Sequence, residues 1–193
     1  MDSRTRGLKI LTFESPTPFR SWLEENHAAS DGIWLRIFKK ESGKESITYG
    51  EALDQALCYG WIDGQKKPHD DRSWLQKLTP RRSKSVWSKN NTEHAERLIR
   101  SGEMTPAGLK EVEAAKADGR WKAAYDSFAN AAVPNDFLKK LAKDRKAKAF
   151  FETLNKTNLY SITYRLQTAK NPETREKRMQ AIIQMLARGE KFH

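Results

Sequence analysis

The hydrophobic periodicity of the 193-residue chain changes once, near Ser88, and that change restricts the fold more than any other feature. Ahead of it, β-branched and aromatic runs alternate with helical stripes. Beyond it, every apolar series repeats at three and four residues, the spacing of one helix face. Strands confined to the front and helices alone at the back predict an α+β fold. The expected architecture is a small mixed sheet with a hairpin and helices in the N-terminal half, and an all-helical C-terminal half packed on it. The expected domains are 1–100, containing the sheet, and 101–193, the helical subdomain.

Ile10-Leu11-Thr12-Phe13 reads as a short strand, and Ser15-Pro16-Thr17-Pro18 opens a helix that buries Phe19, Trp22 and Leu23. Ile33-Trp34-Leu35-Arg36-Ile37-Phe38 reads as a strand. Thr48 with Glu51 three residues on forms a capping box for a helix burying Leu53, Ala56 and Leu57, which Gly60 stops. Trp61–Lys67 and Ser73–Thr79 are expected as a hairpin joined by the loop Pro68-His69-Asp70-Asp71. Trp61 and Asp63 would share one face, with Ile62 and Gly64 on the other.

Ser88 is the expected N-cap of the next helix, and Thr105-Pro106 the start of another that Gly119 ends. Trp121, Tyr125 and Phe128 predict a short helix. Further helices are expected after Pro134, around Phe150, Phe151 and Leu154, along Leu159, Ile162, Leu166 and Ala169, and from Asn171-Pro172 to Gly189.

With 37% hydrophobic residues, including eight Phe and six Trp, the chain can build a real core. No run approaches a membrane span, and Met1–Phe13 lacks the apolar stretch of a leader, which makes the cytoplasm the expected location. One cysteine and four histidines point away from a disulfide framework or a structural zinc site. The net charge of +11 is concentrated in residues 66–100, at +6, and 139–193, at +9. Such zones attract polyanions or simply keep a surface solvated.

The stretch from Leu57 to Asn91 combines three tryptophans with both signs of charge. Asp63 lies between Trp61 and Gly64, and Arg81, Arg82, Trp87 and Asn91 follow the second strand. A carboxylate desolvated by tryptophan can serve as a general acid or base, and an arginine beside it can hold a substrate anion. Equally, Asp63 can cap a turn or pair with an arginine to pin the hairpin, with Trp61 and Trp87 as core anchors. Asp63 is the weak catalytic candidate.

Tyr164, Arg165, Lys170, Arg175 and Arg178 form a second cluster, with Tyr160 one turn ahead of Tyr164. On a helical wheel Arg175 lies beside the Met179 and Ile182 stripe, so it points inward and needs an anion. That anion would be Asp63, locking the two motifs together, or a bound phosphate or carboxylate. Cys58 reads as a small buried hydrophobe. There is no glycine-rich phosphate loop, G-x-S-x-G or H-E-x-x-H motif, and no cofactor is expected.

Several longer motifs, ALCYGWIDG at Ala56–Gly64, TPRRSKSVWSKNN at Thr79–Asn91, the run from Gly102 to Trp121, and AKNPETREKR at Ala169–Arg178, resemble the YdeI/OmpD-associated, or bacteriocin-protection, family across roughly residues 30 to 190. The resemblance implies a role in resistance to antimicrobial peptides and assigns no catalytic residue. Three functions follow as expectations. The first is a non-catalytic binding protein whose partner is a protein or a small anion held between the hairpin and the last two helices. The second is a nucleic-acid binder using the two basic zones. The third is a small enzyme using Asp63 with Arg81 or Arg175.

Overall fold

A computed structural model describes residues 7–193. The segment 1–6, read above as free of a leader, lies outside the described residues. The fold is α+β, with a four-stranded mixed sheet in the N-terminal half and mostly helices after it. Its elements are β1 (Ile10–Leu11), α1 (Pro16–Asn26), β2 (Ile33–Phe38), α2 (Tyr49–Cys58), β3 (Trp61–Asp70), β4 (Ser73–Pro80), α3 (Lys89–Arg100), α4 (Pro106–Ala117), α5 (Asn135–Leu141), α6 (Arg145–Phe151), α7 (Lys156–Gln167) and α8 (Pro172–Ala187). The chain divides into two compact units. Unit 1 holds the residues up to Ser85 together with Asn91–Trp121, and unit 2 holds Val86–Asn90 with Lys122–His193.

In unit 1 the strand order is β1-β2-β4-β3. The short β1 runs parallel to β2, as a strand–helix–strand crossover allows, while β2, β4 and β3 are antiparallel neighbours. Residues Ile33, Leu35 and Ile37 alternate inward along β2, and they are buried, as are Phe19 and Leu23 of α1 and Leu53, Ala56 and Leu57 of α2. The capping box at Thr48 and Glu51 is complete, and both of its reciprocal bonds form. Gly60 stops α2 with φ of 73°, a left-handed conformation, where an added Cβ would sit 3.0 Å from the Ala107 carbonyl oxygen.

The hairpin forms, but its strands outrun the expected loop. β3 continues through Pro68, which pairs with Trp74, and the turn is made by Asp71 and Arg72. The reason lies in the sheet order: β3 is an edge strand, where a residue without an N–H is tolerated. Asp70 then closes the turn by accepting from the Arg72 amide at 3.0 Å and the Ser73 hydroxyl at 2.7 Å.

In unit 2, α5 to α8 enclose a core of Phe137, Leu141, Ala147, Ile162, Leu166, Met179, Ile182 and Leu186. The side chains of Asp144, Asn155 and Asn171 cap α6, α7 and α8 by accepting backbone N–H bonds. The helix expected around Trp121, Tyr125 and Phe128 does not form. Tyr125 instead pairs its backbone with the segment before α3: its N–H donates to the Trp87 carbonyl at 3.0 Å, and the Lys89 N–H donates to the Tyr125 carbonyl at 2.9 Å. Long-range backbone pairing has displaced a weak local helical pattern.

Candidate functional site

The residues of the first sequence cluster each have defined contacts. Trp61 is buried at the start of β3, edge-on to Trp22 at 5.8 Å, with its indole N–H donating to the His27 carbonyl at 3.1 Å. Asp63, two residues on, accepts from the Tyr49 hydroxyl at 2.8 Å and from the Asn91 amide at 3.4 Å. Arg81 is buried where the chain leaves β4, and its backbone N–H donates to the Gly60 carbonyl. Arg82 is exposed, and its backbone N–H is bonded to the Ser85 hydroxyl. Trp87 is buried in unit 2. Cys58 is fully buried, and burial pushes its thiol up, the reverse of what a nucleophile requires.

The expected lock between Asp63 and Arg175 is replaced by separate arrangements. Arg175 grips Asp136 with both terminal guanidinium nitrogens. That bonding holds the Asp136 carboxyl below the usual carboxylate range. Asp136 sits in the first turn of α5, in the same unit as Arg175, whereas Asp63 is satisfied by Tyr49 and Asn91. Lys140 pairs in the same way with Glu176. Lys170 borders the recess beside these two pairs, where the cations already face acids.

Tyr164, Arg165 and Arg178 meet elsewhere. They line an open cleft of about 670 Å³, formed by α7 and α8 with Val86 and Phe192 and lined also by Ile182 and Met185. Helical geometry accounts for the grouping: Arg178, Ile182 and Met185 follow one another at i, i+4 and i+7 on α8, and Tyr164 and Thr168 at i and i+4 at the end of α7. The Arg165 guanidinium lies 3.8 Å from the Phe192 ring centroid and donates to the Ser161 carbonyl at 3.3 Å. Arg178 donates to the Arg165 carbonyl at 2.6 Å. Among the described residues neither arginine ion-pairs with a carboxylate, so most of their five N–H donors each stay available.

Tyr164 stands edge-on to Tyr125 at 4.9 Å and close to Tyr160, which in turn meets Phe128 at 5.2 Å. Burial raises the Tyr160 hydroxyl, so it stays neutral. Two guanidinium groups, each tethered to a backbone carbonyl, in a mostly apolar cleft suit an anion with an apolar body, held bidentately at its head. Sequence reasoning found the arginines and Tyr164 but missed Val86, Thr168, Met185 and Phe192. The i, i+4, i+7 series from Arg178 was the available signal for Met185. Nothing local marked Val86 or Phe192.

Among the described residues no helix is long and apolar enough to cross a membrane, and no group of three or more His, Cys, Asp or Glu could hold a metal ion. Residues 11–111 match the family model described as Domain of unknown function (DUF8412), and residues 130–189 match the one described as Bacteriocin-protection, YdeI or OmpD-Associated. The second match coincides with α5 to α8 and their core, and it is narrower than the span of motifs that resembles that family. No curated protein and no solved structure matches the chain.

Proposed function

Because the chain belongs to the family described as Domain of unknown function (DUF8412) and carries a YdeI/OmpD-associated segment over α5 to α8, we propose that it is a non-catalytic binding protein acting in bacteriocin protection, with its ligand in the α7–α8 cleft. The observation that carries this reading is the pair of guanidinium groups, Arg165 and Arg178, which face an apolar trough without a carboxylate among the described residues. The ligand class is a small carboxylate or phosphate with an apolar body. A chain of net charge +11 is poorly suited to capture cationic peptides by charge, so protection acts through this ligand or a protein partner. The proposed location is the cytoplasm.

A thermal-shift screen with medium-chain carboxylates and alkyl phosphates tests the reading, because a ligand that binds the native state raises the melting temperature by mass action. A shift that resists salt and is lost in Arg178→Ala supports it. Silence across both series, or a shift unchanged in Arg178→Ala, overturns it.

A further inference from the structure

The side of the sheet opposite α1 and α2 has a composition of its own. Paired residues in neighbouring strands share a face. Register therefore sets Trp34 beside Lys77, and Arg36 beside Leu75, which is itself beside Lys67. Phe38 continues the same side of β2 two residues beyond Arg36. The helices meet the other face, where Trp22 of α1 contacts Trp61 and Tyr49 of α2 contacts Trp74. On the first face, Leu75 is buried beneath a cover of cations and rings. The Lys67 ammonium lies 4.0 Å from the Trp34 ring centroid, and that of Lys77 6.0 Å from it. The Arg36 guanidinium lies 4.6 Å from the Phe38 centroid, and the Lys44 ammonium 5.4 Å.

Cations outnumber acids on this face. Arg36 pairs with Asp70 at 2.5 Å, while Lys44, Lys67 and Lys77 form no ion pair among the described residues. Trp34 and Phe38 are only partly buried, four residues apart on one strand, which sets them about 13 Å apart at the usual strand rise.

We propose that this face binds single-stranded nucleic acid, with bases stacked on Trp34 and Phe38 and phosphates held by Lys44, Lys67 and Lys77. A cation over a partly exposed ring is held more weakly than a base stacked on it. A base therefore displaces the ammonium, and the lysine, on its flexible stem, swings to a phosphate of the same strand. The spacing of the rings suits non-adjacent bases of an extended strand. A duplex would present phosphates but keep its bases stacked inside, and an anionic membrane would engage the lysines alone; neither uses the rings. The site is in unit 1 and shares no residue with the α7–α8 cleft.

Fluorescence anisotropy of the full chain with a labelled 20-nucleotide oligothymidylate tests the proposal, alongside a duplex of equal length and phosphatidylserine vesicles. The expected result is binding to the single strand that falls steeply with salt. Trp34→Ala should weaken it roughly tenfold with little change in salt slope, as loss of one stacked base does. Lys67→Glu with Lys77→Glu should weaken it further and flatten the slope, since each lysine removes a phosphate contact. Trp34→Phe, which keeps a ring at the position, should retain most of the affinity and guards against misreading a folding defect. No binding to the single strand overturns the proposal. So does tighter binding to the duplex or the vesicles, or full affinity in both Trp34→Ala and the double lysine variant.

Discussion

Unit 1 combines helices with a sheet in which β2 pairs with the distant β4, while unit 2 builds its core from helices alone, two of them only seven residues long. Helices as short as α5 and α6 are marginal alone and persist because neighbours cover them. Phe137, Leu141 and Ala147 supply that cover, and the pairs Arg175–Asp136 and Lys140–Glu176 tie α5 to α8. The difference teaches how each unit treats its charges. In unit 2 the cations that join α5 to α8 are neutralised, and Arg165 and Arg178, which line the cleft, stay available. In unit 1 the lysines of the open sheet face lie over aromatic rings rather than against carboxylates.

The widest test of that contrast is truncation of each core. Trp61→Ala in unit 1 and Phe137→Ala in unit 2 should each lower stability by about 3–5 kcal/mol, read by chemical denaturation. Calorimetry then sharpens the comparison: two transitions, each moved by one variant, would make the units separate folding units, and one shared transition would break the contrast. Gly108→Ala comes next. Its added Cβ would sit 2.7 Å from the Leu57 carbonyl oxygen and closer still to that of Cys58, and the loss should be about 1–3 kcal/mol.

Arg175→Ala and Asp63→Ala should have smaller effects, about 1 kcal/mol each, because Asp136 is 53% exposed and Asp63 is held by neutral partners. A loss of several kcal/mol in both would revive a buried lock between the two residues.

Acid should weaken unit 2 before unit 1. Hydrogen bonds from Lys89, Arg175 and Lys140 hold the carboxyls of Asp126, Asp136 and Glu176 below their usual values. A depressed carboxyl binds protons more readily unfolded than folded, so its contribution is complete above the ordinary carboxylate range and is lost as pH falls through the folded value. In unit 1 the same effect acts on Asp70, through Ser73, and on Asp118, through Arg120. Residue-resolved hydrogen exchange between pH 5 and pH 3 should show unit 2 amides losing protection first, and simultaneous loss would contradict the expectation.

Limited proteolysis locates the domain boundary with no change in stability at all. Cleavage in residues 122–134, outside any helix or strand, would follow the compact units, and cleavage near residue 100 would follow the division into 1–100 and 101–193.

Most element ends were legible because local chemistry makes them. Thr48 with Glu51, Thr105 with Pro106, and Asn171 with Pro172 each start a helix where the sequence says so. Tyr125 was misread because its spacing from Trp121 and Phe128 mimics a helix face, while the bonds that place it come from Trp87 and Lys89. Of the candidate site, Arg165 and Arg178 could be read as cations one turn from apolar stripes. Which of the four neighbouring arginines and lysines would meet an acid could not, since Asp136 is 39 residues from Arg175.

Period settles the α+β class, and caps settle most helix starts, from the sequence alone, because each cap depends on residues within one turn of one another. The tertiary structure alone decides the strand order β1-β2-β4-β3, the pairing of Arg175 with Asp136, and the closing of the α7–α8 cleft by Val86 and Phe192. Each of these joins residues tens of positions apart, and only the burial of a shared core brings such residues within reach.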